Sequence, residues 1–349
     1  MNKTRSHVFA YDVIRVVACL CVLTIHFNAS FSAWSGGIFV YQNSVFPNYI
    51  FNQSVYLGDF GVSLFFLLSG AAMFHTYGEQ KISLRQFYQK RFFSIYPMFW
   101  LAWFAATAVG VLVYGEMASG GPLALFASAT GMDGYLLSLG YGKLAVYYKV
   151  GEWFLGCIIL FYLLMPLLLM GMKKHPFFIV GICIAISALL YGKTSNIFFL
   201  RRVPEVVLGM LIDRYFHPQQ GRMRILWIGG SLIGILILYC TGPKIVSVGY
   251  ALELCVGISV LFFVLFLLLF QNVKNSRWLP LISWLARYSY PAFLVHHQVC
   301  DYMARRFDLS ILPKEILYFN FLVYLVITAL LSVLLYYVGQ TVVNKKLYQ

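Results

Sequence analysis

Long runs of apolar residues recur along the whole chain and are separated by short segments that carry most of its charged residues. Each run has about 18 to 25 residues, enough for an α-helix to cross a hydrocarbon core of about 30 Å. The pattern predicts ten transmembrane helices, near residues 8–28, 56–77, 92–114, 150–171, 176–192, 197–215, 224–241, 246–270, 279–300 and 317–339. Residues 1–349 therefore read as a single all-α, polytopic membrane domain.

Composition and charge support a membrane protein with both termini in the cytoplasm. Hydrophobic residues make up 61% of the chain and charged residues 11%, whereas a soluble domain has about 25% charged residues. When the loops are assigned alternately to the two sides, most Lys and Arg residues fall on the side of the N-terminus, and the opposite loop 29–55 has none. The formal net charge of +14 is scattered over short loops that face anionic lipid, so we expect membrane lipid as a partner and no nucleic acid.

Two other features of the sequence have simple explanations. The N-terminal apolar run is interrupted by Asp12 and Arg15, which argues against a cleaved signal peptide. The seven cysteines lie almost wholly inside apolar runs without a CxxC pair, which is typical of small core residues. A reactive thiol at Cys19 is the alternative.

The first predicted helix carries three polar residues that a membrane span rarely contains, Asp12, Arg15 and His26. Arg15 and His26 are eleven residues apart, so they lie within roughly 20° of the same helix face with a rise of about 16 Å. Intramembrane charges cost several kcal/mol and are functional candidates by default. An imidazole titrates near neutral pH and can take a proton from a hydroxyl group. The alternative is structural: Asp12 pairs with Arg15, and His26 caps a neighbouring helix.

The ninth predicted helix carries Arg287, His296 and His297. Neighbouring side chains diverge on a helix, and no carboxylate joins the two histidines at ligand spacing, so the sequence predicts no metal site. His296 and His297 lie at the outer end of this helix and are candidates for a functional role. Glu152 and Trp153 are further candidates, because they lie at the outer rim of the fourth predicted helix.

The remaining polar residues group at the two predicted membrane surfaces. The cytoplasmic cluster Arg85, Lys90 and Arg91 suits a phosphorylated cytosolic donor, with the ordinary positive-inside bias as the alternative. Outer aromatic residues suit sugar rings or form an interfacial belt; they are Trp34, Tyr41, Tyr49, Tyr135 and Tyr141. The charged residues of the sixth predicted helix are better explained as ion pairs at the membrane interfaces than as acceptor ligands. They are Arg201, Arg202, Glu205, Asp213 and Arg214.

Several segments in order give the chain a family resemblance. Asp12, Arg15 and His26 lie in YDVIRVVACLCVLTIHF, followed by GVSLFFLLSG with Ser69, then KRFFSIYP, WFLGCIILFYLLMP and SYPAFLVH, which ends at His296. In these segments the chain resembles the membrane acyltransferase 3 family, bacterial O-acyltransferases with ten helices. It departs from the family pattern at Ser94, where many members have arginine, and at Cys157 and Ile158, where a glutamate is often found.

The resemblance implies an O-acetyltransferase in the bacterial cytoplasmic membrane. It implies acetyl-CoA, or another acyl-CoA, as a co-substrate without a permanently bound cofactor, and a polysaccharide or lipid-linked sugar as the acceptor. His26 is then the general base, with Asp12 and Arg15 positioning the donor. His296 then orients the acceptor or relays a proton. We assign donor binding to a second set, Arg91, Lys90, Arg85 and Ser69. The competing interpretations are a secondary transporter or flippase and, less well supported, a membrane receptor.

Overall fold

The computed structural model describes residues 7–30, 33–35, 38–40, 44–116, 120–144, 150–216, 220–271, 273, 278–307 and 313–347. Its helices are α1 Phe9–Ser30, α2 Leu57–Tyr77, α3 Leu84–Tyr114, α4 Pro122–Ala129, α5 Asp133–Ser138, α6 Glu152–Lys174, α7 Pro176–Leu189, α8 Phe199–Tyr215, α9 Gly221–Ser247, α10 Ala251–Phe270, α11 Leu279–Arg287, α12 Ser289–Arg306 and α13 Lys314–Leu347. Two short antiparallel hairpins follow α1, one formed by β1 Ala33–Ser35 and β2 Ile38–Val40, the other by β3 Tyr49–Ile50 and β4 Val55–Tyr56. The all-α architecture expected from the apolar pattern is confirmed.

Seven described helices are long and apolar enough to cross a membrane: α1, α2, α3, α6, α9, α10 and α13. The chain is therefore a multi-pass membrane protein. Helix α7 has 14 residues, and the 17-residue α8 carries buried charges that lower its hydropathy. The count of ten spans stays a prediction.

The prediction of one continuous helix over 279–300 is wrong. Helix α11 ends at Arg287 and α12 begins at Ser289, with Tyr288 between them. Pro291 explains the interruption, because proline has no N–H to donate to the carbonyl group of Arg287 and its ring crowds that group. The Ser289 hydroxyl donates to the carbonyl oxygen of Ala286 at 2.9 Å, which caps the junction.

Other element bounds also differ from the prediction. Helix α3 begins at Leu84 instead of near residue 92, so the basic cluster of residues 85–91 is helical. Between α3 and α6, α4 and α5 occupy part of a segment without predicted helices. Most cysteines are buried as predicted (Cys19, Cys157, Cys183, Cys255 and Cys300), while Cys240 is exposed.

Helices α2 and α8 cross at a pair of glycines in the core of the bundle. A Cβ atom added at Gly70 would overlap the backbone carbonyl of Val206, and one added at Gly209 would overlap that of Leu67. Small residues let two membrane helices approach backbone to backbone. The contact fixes α2 and α8 against each other, and α1 packs against the neighbouring face of α2, where Gly61 meets the carbonyl of Ala18.

The bundle has two ends, which we call the near end, where α1 begins, and the far end, where α1 finishes. At the near end, the start of α1 meets the last turns of α2 and α8, since Tyr11 and His75 both contact Asp213. At the far end, the last turns of α1 meet the start of α6 through His26 and Glu152. The buried core runs between these two clusters.

Candidate active site

Three histidines from two helices meet near the far end of the bundle. The ring centroid of His26 on α1 is 4.2 Å from that of His297 and 5.0 Å from that of His296, both on α12. The rings of His296 and His297 are themselves 4.2 Å apart. The expectation that these two neighbours diverge is wrong, because both rings rotate toward α1. We call His26, His296 and His297 the histidine cluster.

The carboxylate of Glu152 joins the histidine cluster from the first turn of α6. Its Oε1 atom lies 2.8 Å from Nε2 of His297, and its Oε2 atom lies 3.4 Å from Nε2 of His26. The side chains of His26 and Glu152 keep 22% and 28% of their exposure, so both are accessible from outside the protein. The sequence places Glu152 at the rim but does not show that it reaches two histidines.

The backbone around Glu152 is in a conformation that non-glycine residues seldom adopt. Gly151 has φ of 86°, and Glu152 itself has φ of 42°. A non-glycine residue in the left-handed region costs about 1 to 3 kcal/mol and is concentrated at functional sites. The strain aims the Glu152 carboxylate at the histidine cluster instead of along α6.

Helix α5 supports this conformation from outside the bundle. A Cβ atom at Gly134 would lie 2.7 to 2.9 Å from the backbone of Glu152, so only glycine permits the contact. The buried Asp133 carboxylate accepts hydrogen bonds from the Ser128 hydroxyl at 2.7 Å and from the Gly134 N–H at 2.8 Å. These bonds fix the turn between α4 and α5 that packs on Glu152.

Tyr135 anchors the other side of α5. Its hydroxyl oxygen accepts a hydrogen bond from the backbone N–H of Phe199 at 3.0 Å. Burial raises the pKa of the Tyr135 hydroxyl to about 12. Tyr135 is thus a structural residue, and its expected place on an outer aromatic surface is wrong. Tyr49 and Tyr141 are exposed, as an outer aromatic surface requires. Tyr41 and the side chain of Trp34 lie outside the described residues.

His296 is completely buried, and one side of its ring faces the other two histidines. Its Nδ1 atom lies 2.8 Å from the carbonyl oxygen of Phe293 and 3.2 Å from that of Ala292, so Nδ1 carries the proton and donates it. Nε2 is then the atom with the lone pair, and it has no hydrogen-bond partner in the described part of the chain.

Asp12 and Arg15 lie on the same helix as His26 but toward the near end. Nη1 of Arg15 is 3.4 Å from Oδ1 of Asp12, and Nε2 of His7 is 2.8 Å from Oδ2 of the same carboxylate. The Asp12–Arg15 pair is the structural alternative that the i, i+3 spacing allows.

Arg91 on α3 lies against Tyr162 on α6. Its guanidinium carbon is 5.5 Å from the centroid of the Tyr162 ring, and its Nε atom is buried without a hydrogen-bond partner among the described residues. A cavity beside it contains Arg91, Tyr96 and Tyr162 in its lining. Arg91 thus packs against Tyr162 at the edge of this cavity.

The other predicted donor residues lie elsewhere in the structure. Lys90 and Arg85 are exposed on the first turns of α3, and Lys90 lines a separate polar cavity with Lys81 and Gln86. Ser69 is partly buried on α2. Of the set proposed for the donor, only Arg91 lies against Tyr162 in the interior.

Trp153 connects the histidine cluster to a buried charge network. The guanidinium carbon of Arg202 lies 5.8 Å from the centroid of the Trp153 ring and 5.5 Å from that of Phe66. Arg202 pairs with Glu205 at 3.3 Å, and neither side chain is accessible. Arg202 and Glu205 are buried, contrary to the interfacial placement predicted for them. The Ser63 hydroxyl donates to Oε1 of Glu205 at 2.6 Å, whereas Nε and Nη1 of Arg202 have no hydrogen-bond partner among the described residues.

A second polar cluster lies at the near end, around Asp213, whose partners the sequence did not indicate. The Tyr11 hydroxyl donates to Oδ1 of Asp213 at 2.5 Å, and Nδ1 of His75 is 3.0 Å from the same oxygen. These residues line a cavity of about 860 Å³ together with Lys173 and Arg214. A pair such as Tyr11 and Asp213, 202 positions apart, has no local sequence signal.

Comparison with known proteins identifies the family of the chain. The model of the acyltransferase 3 family, described as an acyltransferase domain, matches residues 8–337, nearly the whole chain. Searches of curated proteins and of solved structures found no significant match. The match includes every residue of the histidine cluster, Glu152, Arg15 and Arg91. The chain belongs to the acyltransferase 3 family and is a membrane acyltransferase.

Proposed function

We propose that this protein moves an acetyl group from cytosolic acetyl-CoA to a hydroxyl group of a polysaccharide or lipid-linked sugar, with His26 as the general base. The observation that carries the proposal is the contact of His26 with Glu152. A carboxylate on one ring nitrogen of a histidine orients the ring and stabilises its protonated form. The accessible, oriented imidazole is suited to deprotonating an acceptor hydroxyl.

The near end is proposed to face the cytoplasm of a bacterial cell, with both termini on that side. Basic residues end the helices that reach this end, among them Lys173 and Lys174 on α6 and Arg214 on α8. Lys and Arg residues are retained on the cytoplasmic side of membrane proteins. Acyl-CoA then enters at the near end, and the acceptor reaches the histidine cluster from the far end.

The donor is proposed to lie along the interior between Arg91 and His26. Arginine binds phosphate groups with two parallel hydrogen bonds, and the Nε atom of Arg91 is available for such a contact. Arg15 and His26 are separated by a rise of about 16 Å on α1, which is long enough for an extended pantetheine arm. This places the thioester near His26 while the phosphates remain near Arg15 and Arg91.

The proposed reaction is a direct transfer. With Nε2 of His26 directed at Glu152, Nδ1 carries the lone pair that accepts the proton of the acceptor hydroxyl. The hydroxyl oxygen forms the new bond to the carbonyl carbon, and the carbon–sulfur bond breaks. The proton held by His26 passes to the leaving sulfur, so coenzyme A departs as a thiol. His296, Trp153 and Glu152 lie on the acceptor side of this step.

The proposal is tested with purified protein in vesicles that expose the near end. Acetyl-CoA with a labelled acetyl group is added outside, and extracts of bacterial surface glycans or lipid-linked sugars are enclosed inside. We expect label in the glycan fraction, and none when the vesicles expose the far end. Equal labelling of vesicles with and without the protein would refute acyl transfer, and labelling from the far end would refute the proposed sidedness.

A further inference from the structure

The histidine cluster and Glu152 have the composition and arrangement of a metal site. One ligand atom from each of His26, His296 and His297 lies within 4.8 Å of the others. Three imidazoles from two helices that face one point are the ligand set of many zinc sites, where a carboxylate, water or substrate completes the coordination. The two expectations against a metal, divergent histidines and a missing carboxylate, are both wrong in the folded protein.

Glu152 supplies the fourth ligand. Its two oxygen atoms already lie 2.8 Å and 3.4 Å from Nε2 of His297 and of His26. These are ion-pair distances, and Nε2 of His297 has no hydrogen-bond partner among the described residues. The negative charge of Glu152 reduces the cost of burying a divalent cation at this point.

His296 provides an independent observation that points to a ligand. It is completely buried, and its Nε2 atom has no hydrogen-bond partner among the described residues. Its Nδ1 atom donates to the carbonyl oxygen of Phe293 at 2.8 Å. Histidines that bind metals characteristically donate the other ring N–H to a carbonyl or carboxylate, which fixes the ring. A buried lone pair without a partner is costly, and a metal ion removes that cost.

The dimensions fit Zn²⁺ after a small adjustment. Zn–N bonds of about 2.0 to 2.1 Å place tetrahedral ligand atoms roughly 3.3 Å apart. The present 4.8 Å spread closes to that value when each nitrogen moves about 0.9 Å toward the centre, a shift that ring rotations provide. His26 and His297 are partly accessible and have room for that rotation.

We propose that His26, His296, His297 and Glu152 bind one Zn²⁺ ion. Zinc suits the site better than Mg²⁺ or Ca²⁺, which prefer oxygen ligands. The proposal concerns the same residues as the proposed function, but zinc binding requires neither the donor nor the acceptor. Bound zinc also occupies a nitrogen of His26, so the metal and the proton transfer compete for that residue.

The test measures zinc binding to protein without a polyhistidine tag. Thiols are first blocked with N-ethylmaleimide, because Cys240 is exposed. Equilibrium dialysis against ZnCl₂ then compares native protein with His296→Ala and His297→Ala. His175→Ala is the matched control, since His175 is exposed at the junction of α6 and α7. We expect one zinc per native or control chain and a loss of affinity of at least about tenfold in the two cluster variants.

A spectroscopic measurement on native protein covers the case in which a variant does not fold. Co²⁺ replaces Zn²⁺ in such sites, and its visible absorption distinguishes tetrahedral from octahedral coordination. We expect the intense tetrahedral bands at one equivalent of Co²⁺, removed by added Zn²⁺. An octahedral spectrum, or equal zinc binding by native and folded cluster-variant protein, would overturn the proposal whether or not the protein transfers acetyl groups.

Discussion

Replacing Glu152 with glutamine tests how the carboxylate acts on His26. The change keeps the shape of the side chain but removes its charge, and Oε2 lies 3.4 Å from Nε2 of His26. Hydrogen bonds to charged groups contribute about 1.5 to 3 kcal/mol, and neutral ones about 0.5 to 1.5 kcal/mol. A loss of about 1 to 2 kcal/mol of transition-state stabilisation lowers the turnover rate about 5- to 30-fold.

The assay is acetyl transfer by equal amounts of folded protein in vesicles, with acetyl-CoA at saturation. Glu116→Gln is the control, because that carboxylate is 44% exposed and pairs with Arg305 at 2.7 Å away from the histidine cluster. In a His26→Ala background, Glu152→Gln should lower the transfer rate little further, since the two residues act through one proton transfer. The reasoning is refuted if Glu152→Gln leaves the rate unchanged, or if it lowers the rate by the same factor with and without His26.

Three further changes test other parts of the structure. Gly134→Ala should displace the backbone of Glu152 and slow acetyl transfer. Gly142→Ala is the control, because an added Cβ atom there meets open space. Equal transfer rates for the two variants would count against the supporting role of α5. Gly209→Ala should separate α2 from α8 and destabilise the protein by about 1 to 3 kcal/mol, measured as a lower unfolding temperature than that of Gly229→Ala. Micromolar Zn²⁺ should inhibit transfer reversibly, with full recovery after addition of a chelator; unchanged rates in the presence of bound zinc would contradict the role of His26 as a base.

Periodicity along single helices predicts much of this molecule. Asp12, Arg15 and His26 lie on one face because helical geometry fixes their relative directions, and the structure has Asp12 beside Arg15 at 3.4 Å. The apolar pattern likewise predicts a multi-pass helical protein. Both results depend only on residues that are close in sequence, or on the cost of exposing polar backbone to lipid.

Contacts between helices are much less visible in the sequence. Glu152 reaches His26 and His297 because its own backbone has an unusual φ angle of 42°. No local sequence pattern specifies that angle. The rings of His296 and His297 lie 4.2 Å apart through their side-chain rotamers, which the helical spacing of the sequence does not specify. Arg202 and Glu205 are predicted as interfacial charges, but both are buried, with Arg202 packed against Phe66 and Trp153.

The most direct test of the proposed mechanism is the rate of acetyl transfer by His26→Ala beside His175→Ala. Both variants remove one imidazole, but only His26 contacts Glu152, and His175 is exposed at a helix junction. Loss of a general base slows transfer about 10²- to 10⁴-fold. We predict that loss for His26→Ala and a native rate for His175→Ala at equal amounts of folded protein; a native rate for His26→Ala would contradict the mechanism.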